Sequence, residues 1–435
     1  MYAHLFVSIV FMLMGVAAAA AQEAPAPQDH AGHVMPAGQD EHAGHVMPAG
    51  GVPAARQGSG TSWLPDDTPV YAFHQQRGQW TLMGHGNAFL QYLYESGDRG
   101  SEQTGSINWL MGMAQRPAGA GRFTLRGMVS FEPWTIGGCG YPDLLATGEL
   151  CEGETIHDRQ HPHDLFMELA GEYDRPLAGG VRLQLYGGAV GEPALGPVAF
   201  MHRISGLPNA LAPMTHHWFD ATHITFGVAT AGIYKSRWKV EGSVFNGREP
   251  DEDRTDFDFA AMDSWSARAW FNPSARWALQ VSAGHLEEAE VGHDGGARVS
   301  VDRVTASATY HRRVETSVSA TTIGWGQNAE GDERTNAVMV ESAMTWRDRD
   351  AVYGRAEWAQ KSGHDLDVPL HDVFNVTKLQ AGYTRYFGAW RGLVPGAGAA
   401  LSSGIVPRAL EPFYGSRVNA GIGVYVTLRP AASGM

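Results

Sequence analysis

From Trp80 onward, apolar and polar residues alternate with a period of two in segments of about 9 to 14 residues. The last segment is the clearest. Val418, Ala420, Ile422, Val424, Val426 and Leu428 share one face, and Arg417, Asn419, Gly421, Gly423, Thr427 and Arg429 share the other. Phe123, Leu125, Val129 and Phe131 alternate in the same way with Arg122, Thr124, Arg126 and Ser130. Val314, Thr316, Val318 and Ala320 alternate with Glu315, Ser317, Ser319 and Thr321. Successive side chains of a strand point to opposite faces, so each segment offers one face to lipid and one to water.

The connections carry independent information. Tight turns at Arg116–Gly121, Arg175–Gly180, Lys235-Ser236, Asn272–Ala275, Arg312-Arg313, Arg347–Asp350 and Ala389–Pro395 alternate with longer polar loops. Those loops fall near 95–105, 132–164, 191–221, 247–263, 286–300, 326–334, 361–373 and 405–412. Short periplasmic turns and long outer loops alternate in this way in outer-membrane barrels. Aromatics flank several tight turns and suit an interfacial girdle: Tyr234 with Trp238, Phe271 with Trp277, Trp346 with Tyr353, Tyr386 with Phe387. The alternative, a soluble sandwich or propeller, lacks a blade-length repeat and a Val/Ile/Leu-rich inner face. The expected fold is an all-β transmembrane antiparallel barrel of about sixteen strands, give or take two.

Composition narrows the picture. The 435 residues include 54 Gly, and 18% are charged, with a mean hydropathy of −0.24. An excess of 46 Asp+Glu over 32 Lys+Arg, net −14, argues against nucleic acid as a partner and favours cationic solutes. Two Cys exclude a disulfide scaffold and a four-Cys zinc module. The only long apolar run, 5–21, closes in Ala19-Ala20-Ala21 before Gln22 and reads as an export signal, although no basic residue precedes it. An uncleaved anchor helix is the competing reading. The expected organisation is a signal peptide over 1–21, a disordered His/Met-rich tail over 22–60, a linker or plug over 61–79, and the barrel over 80–435. This places the chain in the outer membrane of a Gram-negative-type bacterium, in contact with its lipid, with the tail in the periplasm.

Chemistry concentrates in three places. In the tail, Asp29 to Gly38 returns as Glu41 to Gly50, so that His30, His33 and Met35 are repeated as His42, His45 and Met47. Imidazole suits Cu(II), Zn and Ni, and thioether selects Cu(I). A spacer with incidental histidines is the plainer reading. The loop 132–164 holds Cys139 and Cys151, which an oxidising compartment would join as a disulfide closing the loop. It ends in His157, His161 and His163 with Asp158 and Asp164, a spacing that fits metal ligation or a hydrogen-bonded network. The loop 191–221 carries Glu192, Met201, His202, Arg203, His216, His217 and Asp220, followed by His223. Seven of the 18 histidines beyond the signal lie between 157 and 223. Ser205, these histidines and Asp220 would suffice for a barrel-hosted hydrolase, but no nucleophile-elbow motif frames a Ser.

The motifs Ser62-Trp63-Leu64-Pro65, Leu82-Met83-Gly84-His85-Gly86, Asp158 to Asp164, Pro197 to Arg203 and Phe245 to Glu252 resemble an uncharacterised group of bacterial exported outer-membrane β-barrel proteins. The resemblance covers roughly 60–430 and implies the barrel but no activity. More loosely, a His/Met tail ahead of a barrel is similar in organisation to copper-resistance outer-membrane proteins. It implies handling of a transition metal, copper before zinc or nickel, by capture, passage or resistance, with a periplasmic metal-handling partner. A general porin for small polar solutes is the main alternative, and the oligomeric state stays open.

Overall fold

In lipid every backbone N–H and C=O must be paired within the protein, which leaves strands one spanning solution, a closed sheet. The computed structural model, which describes residues 51–291 and 297–432, has that form. The strands are β1 (Phe73–Arg77), β2 (Trp80–Glu95), β3 (Glu102–Ala118), β4 (Gly121–Val129), β5 (Tyr141–Cys151), β6 (Glu154–Gln160), β7 (Phe166–Pro176), β8 (Arg182–Gly191), β9 (Thr225–Tyr234) and β10 (Trp238–Phe245). They continue as β11 (Ser264–Ser274), β12 (Trp277–Val291), β13 (Arg298–Val314), β14 (Ser317–Glu330), β15 (Glu333–Trp346), β16 (Asp350–Ser362), β17 (Val373–Tyr386), β18 (Leu393–Ile405) and β19 (Val418–Pro430). All but β1, β5 and β6 form a sixteen-strand antiparallel barrel that closes by pairing β19 with β2, Val426 opposite Leu90. β1 pairs with the lower half of β2 on the same side as β19, which fills the seam below the end of that pairing.

The alternation decides which face is which. On β19, Val418, Ile422, Val424 and Val426 are exposed on the outer surface, while Asn419, Tyr425, Thr427 and Arg429 are buried inside. The exposed apolar exterior of a closed sheet makes this chain an outer-membrane β-barrel.

Four expectations need correction. The stretch 314–321 straddles a turn at Glu315 and Thr316, so Val318 and Ala320 of β14 face inward and are buried. The hydroxyls on the outer face are satisfied across the strands, Thr321 Oγ1 with Ser342 Oγ at 2.9 Å. The tight turn expected at Arg312-Arg313 therefore lies a few residues further on. The loop expected at 326–334 is a two-residue hairpin, Gly331-Asp332, with Gly331 in the left-handed region. Three of the eight expected girdle residues are not at the surface either: Trp238, Phe271, Trp277, Trp346 and Phe387 are outside, whereas Tyr234, Tyr353 and Tyr386 are buried. Each buried Tyr has an inside partner, as where the Tyr353 and Tyr425 hydroxyls meet at 2.7 Å.

Three segments fold into the lumen. Residues 51–72 enter beside the tight turns, where Asp67 N donates to Ala275 O at 2.9 Å and Arg56 donates to Ser236 O at 2.5 Å. Trp63 and Leu64 are buried against Tyr234, Trp270 and Ala278, and the Lys239 ammonium lies 5.2 Å from the Trp63 ring centre. The boundary expected at residue 60 thus falls inside this plug. The β5–β6 hairpin, closed by the Cys139–Cys151 disulfide, enters from the other end and buries Leu144 and Leu145. The 192–224 connection crosses the interior between them, and Arg203 ties it to Glu341 of β15 at 3.2 Å. Apolar packing against the wall holds part of these segments in place. Buried ion pairs add to this, among them Lys378 of the wall to Asp143 of the hairpin at 2.6 Å.

Candidate functional site

The loops that were rich in histidine in the sequence meet inside the barrel. Pro162 keeps His161 and His163 in extended chain at the end of β6, and the short helix His216–Phe219 presents His216 and His217 toward them. The next turn, Ala221–His223, adds His223. Ring centres are 5.1 Å apart for His216 and His223, 5.4 Å for His163 and His223, 5.7 Å for His216 and His217, and 6.3 Å for His161 and His217. Phe200 packs in the middle, 5.4 Å from His216 and 5.7 Å from His163.

Four of these five imidazoles are oriented in one way. Nδ1 of His163 meets Glu132 Oε2 at 2.9 Å, Nδ1 of His216 meets Asp220 Oδ1 at 2.9 Å, and Nδ1 of His223 meets the Asp220 carbonyl at 2.7 Å. Nδ1 of His217 faces Glu249 Oε1 at 3.2 Å and Glu290 Oε1 at 3.9 Å. Because each partner oxygen accepts, Nδ1 carries the hydrogen, which leaves Nε2 with its lone pair wherever the ring is neutral, as at His216 and His223. This arrangement orients metal-binding histidines generally. Nε2 of His217 and of His223 is buried with no hydrogen-bond partner.

The charges differ sharply within the cluster. Burial pulls the His217 imidazole down, but the carboxylates of Glu249 and Glu290 outweigh it and push its pKa up to about 10. Burial and then the neighbouring Glu290 push Glu249 up to about 7. Burial opposes protonation of His163 as well, yet Glu132 beside it raises its pKa. Burial, helped by Arg254, holds His161 well below the usual imidazole range, and burial also lowers His216 and His223. Among the described residues, two groups bring three His, Cys, Asp or Glu ligand atoms within 4.8 Å of one another: His217 with Glu249 and Glu290, and the exposed Asp251, Asp256 and Asp258. The first borders a cavity of about 40 Å³ lined also by Glu330, Glu333 and Asp365.

Of the histidines expected to converge, two do not join this group. His157 is half-buried, with Nδ1 3.2 Å from the Asp365 carbonyl. His202 lies beside His85 and Trp109 instead, with ring centres 5.7 and 4.7 Å away. Ser205 Oγ bonds Thr322 and Glu341, at 2.9 and 2.8 Å, and so is paired with no histidine. His30, His33, Met35, His42, His45 and Met47, with the export signal, lie outside the described residues. Glu132, Glu290 and Glu149, whose Oε1 is 3.5 Å from His161 Nε2, escaped the sequence reading because nothing in the chain links each to its histidine; Glu249 was marked only as part of the 245–252 motif. His85 also escaped, although its place two residues before Asn87 on β2 marks it as lumen-facing.

No protein-family model matches the chain, and no curated protein matches it by sequence. Solved structures match the fold. OmpF of Salmonella typhi aligns with a TM-score of 0.51 at 8% identity, over 82% of this chain and all of that one. An anion-selective porin of Comamonas acidovorans aligns with a TM-score of 0.51 at 9% identity, over 80% of this chain and 99% of that one. The likeness is one of architecture.

Proposed function

We propose that this outer-membrane barrel captures divalent transition-metal cations at a histidine–carboxylate centre in its lumen and holds or passes them. Supporting this reading are the close approach of the His217, Glu249 and Glu290 ligand atoms, all within 4.8 Å of one another, and the common orientation of His163, His216 and His223 beside them, each tied through Nδ1. His217, Glu249 and Glu290 form the entry point, next to the acidic cavity. Nitrogen and carboxylate donors suit Cu(II), Zn(II) and Ni(II), with copper put first because of the tail. A cation entering here displaces the His217 proton and takes its place between the two carboxylates. The tail would act as a second, loosely organised collector on the periplasmic side.

The test uses the folded full-length chain with its six tail donors replaced, titrated with Cu(II) and Zn(II). His217→Ala is expected to lower affinity at least tenfold; equal affinity in the variant would refute the centre. A second reading, a porin for small polar solutes, draws on the architectural likeness to OmpF and the Comamonas porin. Against it stand lumen side chains such as Lys378, Arg268 and Arg203, which are almost wholly buried under the inward-folded segments. Planar-bilayer conductance decides: steady metal-independent ion flow would favour the porin.

A further inference from the structure

Barrel lumens are polar, and most of this one follows that rule with Arg, Lys, Glu and Thr on its inward positions. The wall formed by β2, β3 and β4 does not. Met83 stands directly across from Met113, His85 across from Met111, and Met111 in turn across from Met128. All are on the inward parity, shared with Asn87, Trp109 and Arg126, each of which is buried. Directly opposed side chains have Cβ atoms about 4.5–5.5 Å apart, so a flexible thioether spans the gap easily. Met201 and His202, from the connection that crosses the lumen, close over this wall, and the plug covers it from the periplasmic end.

Between wall and plug lies a cavity of about 90 Å³, lined by Met83, Met111, Met113, Met201, His85 and His202. The imidazoles have few competing obligations. His85 Nε2 is buried without a hydrogen-bond partner, and burial, with His85 beside it, holds His202 in its neutral form. The Trp109 ring flanks both, 5.2 Å from His85 and 4.7 Å from His202. No carboxylate lines the cavity; of the two arginines that do, Arg126 is paired with Glu168 at 3.0 Å, and Arg429 lies over the Tyr71 and Tyr386 rings, 3.9 and 4.3 Å from their centres. Without a carboxylate a divalent ion would keep its full charge in a dry pocket. A monovalent soft ion needs only thioether and imidazole donors, plus an aromatic face.

We propose that this cavity is a binding site for a soft monovalent cation of the Cu(I) class, held by Met83, Met111, Met113 and Met201 with His85 and His202. It is separate from the His217 centre in both donors and ion, and stands or falls apart from it. A smaller cavity of about 20 Å³, lined by Met128, Met167, Met201, His202 and His223 together with Glu168 and Glu192, lies between the two regions.

Ag(I) serves as the probe because it shares the soft character without redox chemistry. The folded full-length chain with its tail donors replaced is expected to bind one equivalent, with a sulfur shell at the silver absorption edge. Met83→Leu, Met111→Leu and Met113→Leu together conserve volume. They should weaken Ag(I) binding at least a hundredfold and abolish the sulfur shell, while the Zn(II) titration is unchanged. Should the triple variant fail to fold, Met111→Leu alone is expected to cost about tenfold. His217→Ala should leave Ag(I) binding as it was. Unchanged affinity in the Met variants, or silver bound with nitrogen and oxygen neighbours only, would show that the methionines merely fill space and would overturn the proposal.

Discussion

The two ends of the lumen hold histidines under opposite conditions. Toward the long loops, His217 is pressed between Glu249 and Glu290 and its pKa is pushed up to about 10. Toward the plug, His202 lies among thioethers and an indole, and burial keeps it neutral. The same residue type is thus an ion-pair partner at one end and an uncharged donor at the other. The difference comes from neighbours far away in the chain, since Glu249 and Glu290 belong to the ends of other strands and loops. Donor type and charge change together along the lumen, from nitrogen and carboxylate to nitrogen and sulfur.

The largest effect is expected where both ends depend on one residue. Arg268 is wholly buried, pairs with Glu241, faces Glu192 at 3.5 Å, and donates to Thr61 Oγ1 of the plug and the Gly196 carbonyl of the crossing connection. Arg268→Ala leaves the buried Glu192 without its cation and Glu241 with Lys239 alone, and should cost about 3–5 kcal/mol. A lower melting temperature together with raised bilayer conductance would be the result; a silent variant would show that the plug is held by other contacts.

Next comes the disulfide, which serves only the outer end. Cys139→Ser removes a closure of 12 residues, roughly 3 kcal/mol by loop entropy, from the hairpin that carries His161 and His163. Zn(II) binding should fall with increased proteolysis in that hairpin, while Ag(I) binding stays. Loss of both would mean the two ends are one cooperative unit.

Glu249→Gln is expected to weaken divalent binding about tenfold, or about 1.4 kcal/mol. It should also lower the His217 pKa, readable by NMR titration. The pH dependence has a definite sign. A raised imidazole pKa contributes stability that is present at neutral pH and lost as pH rises through about 10. The bound proton competes with the metal, so divalent affinity at the His217 centre should increase from pH 6 to pH 9. Ag(I) affinity at the inner site should change far less, because His202 is already neutral there. The smallest effect belongs to His157→Ala. Its ring bonds the Asp365 backbone carbonyl and contributes no ligand atom to either centre, and Zn(II) affinity should move less than twofold.

Much of the fold was legible because a membrane wall imposes its solvent on every second residue, and a one-residue slip would turn a strand inside out. The strand count and the alternation of β19 followed from that. At 314–321 the reading failed, because a turn reverses the bookkeeping of faces and Ser and Thr tolerate either side once hydrogen-bonded across strands. At Tyr234, Tyr353 and Tyr386 it failed because an aromatic beside a turn fits either a lipid interface or a plug. The histidine-rich loops were legible as a set, but not their geometry. His157 and His202 share the spacing of the others and end elsewhere.

The sequence by itself determined that this chain is a closed sheet with a lipid-facing exterior, since that demand is local and repeats every two residues. Only the tertiary structure decided what fills the interior. Plug, hairpin and crossing connection are positioned by ion pairs between residues distant in the chain, such as Lys378 with Asp143 and Arg203 with Glu341. Those contacts bring five histidines together and leave a methionine-lined space beside two more. No local pattern encodes that meeting, because inward-folded segments find their partners across the lumen rather than along the strand.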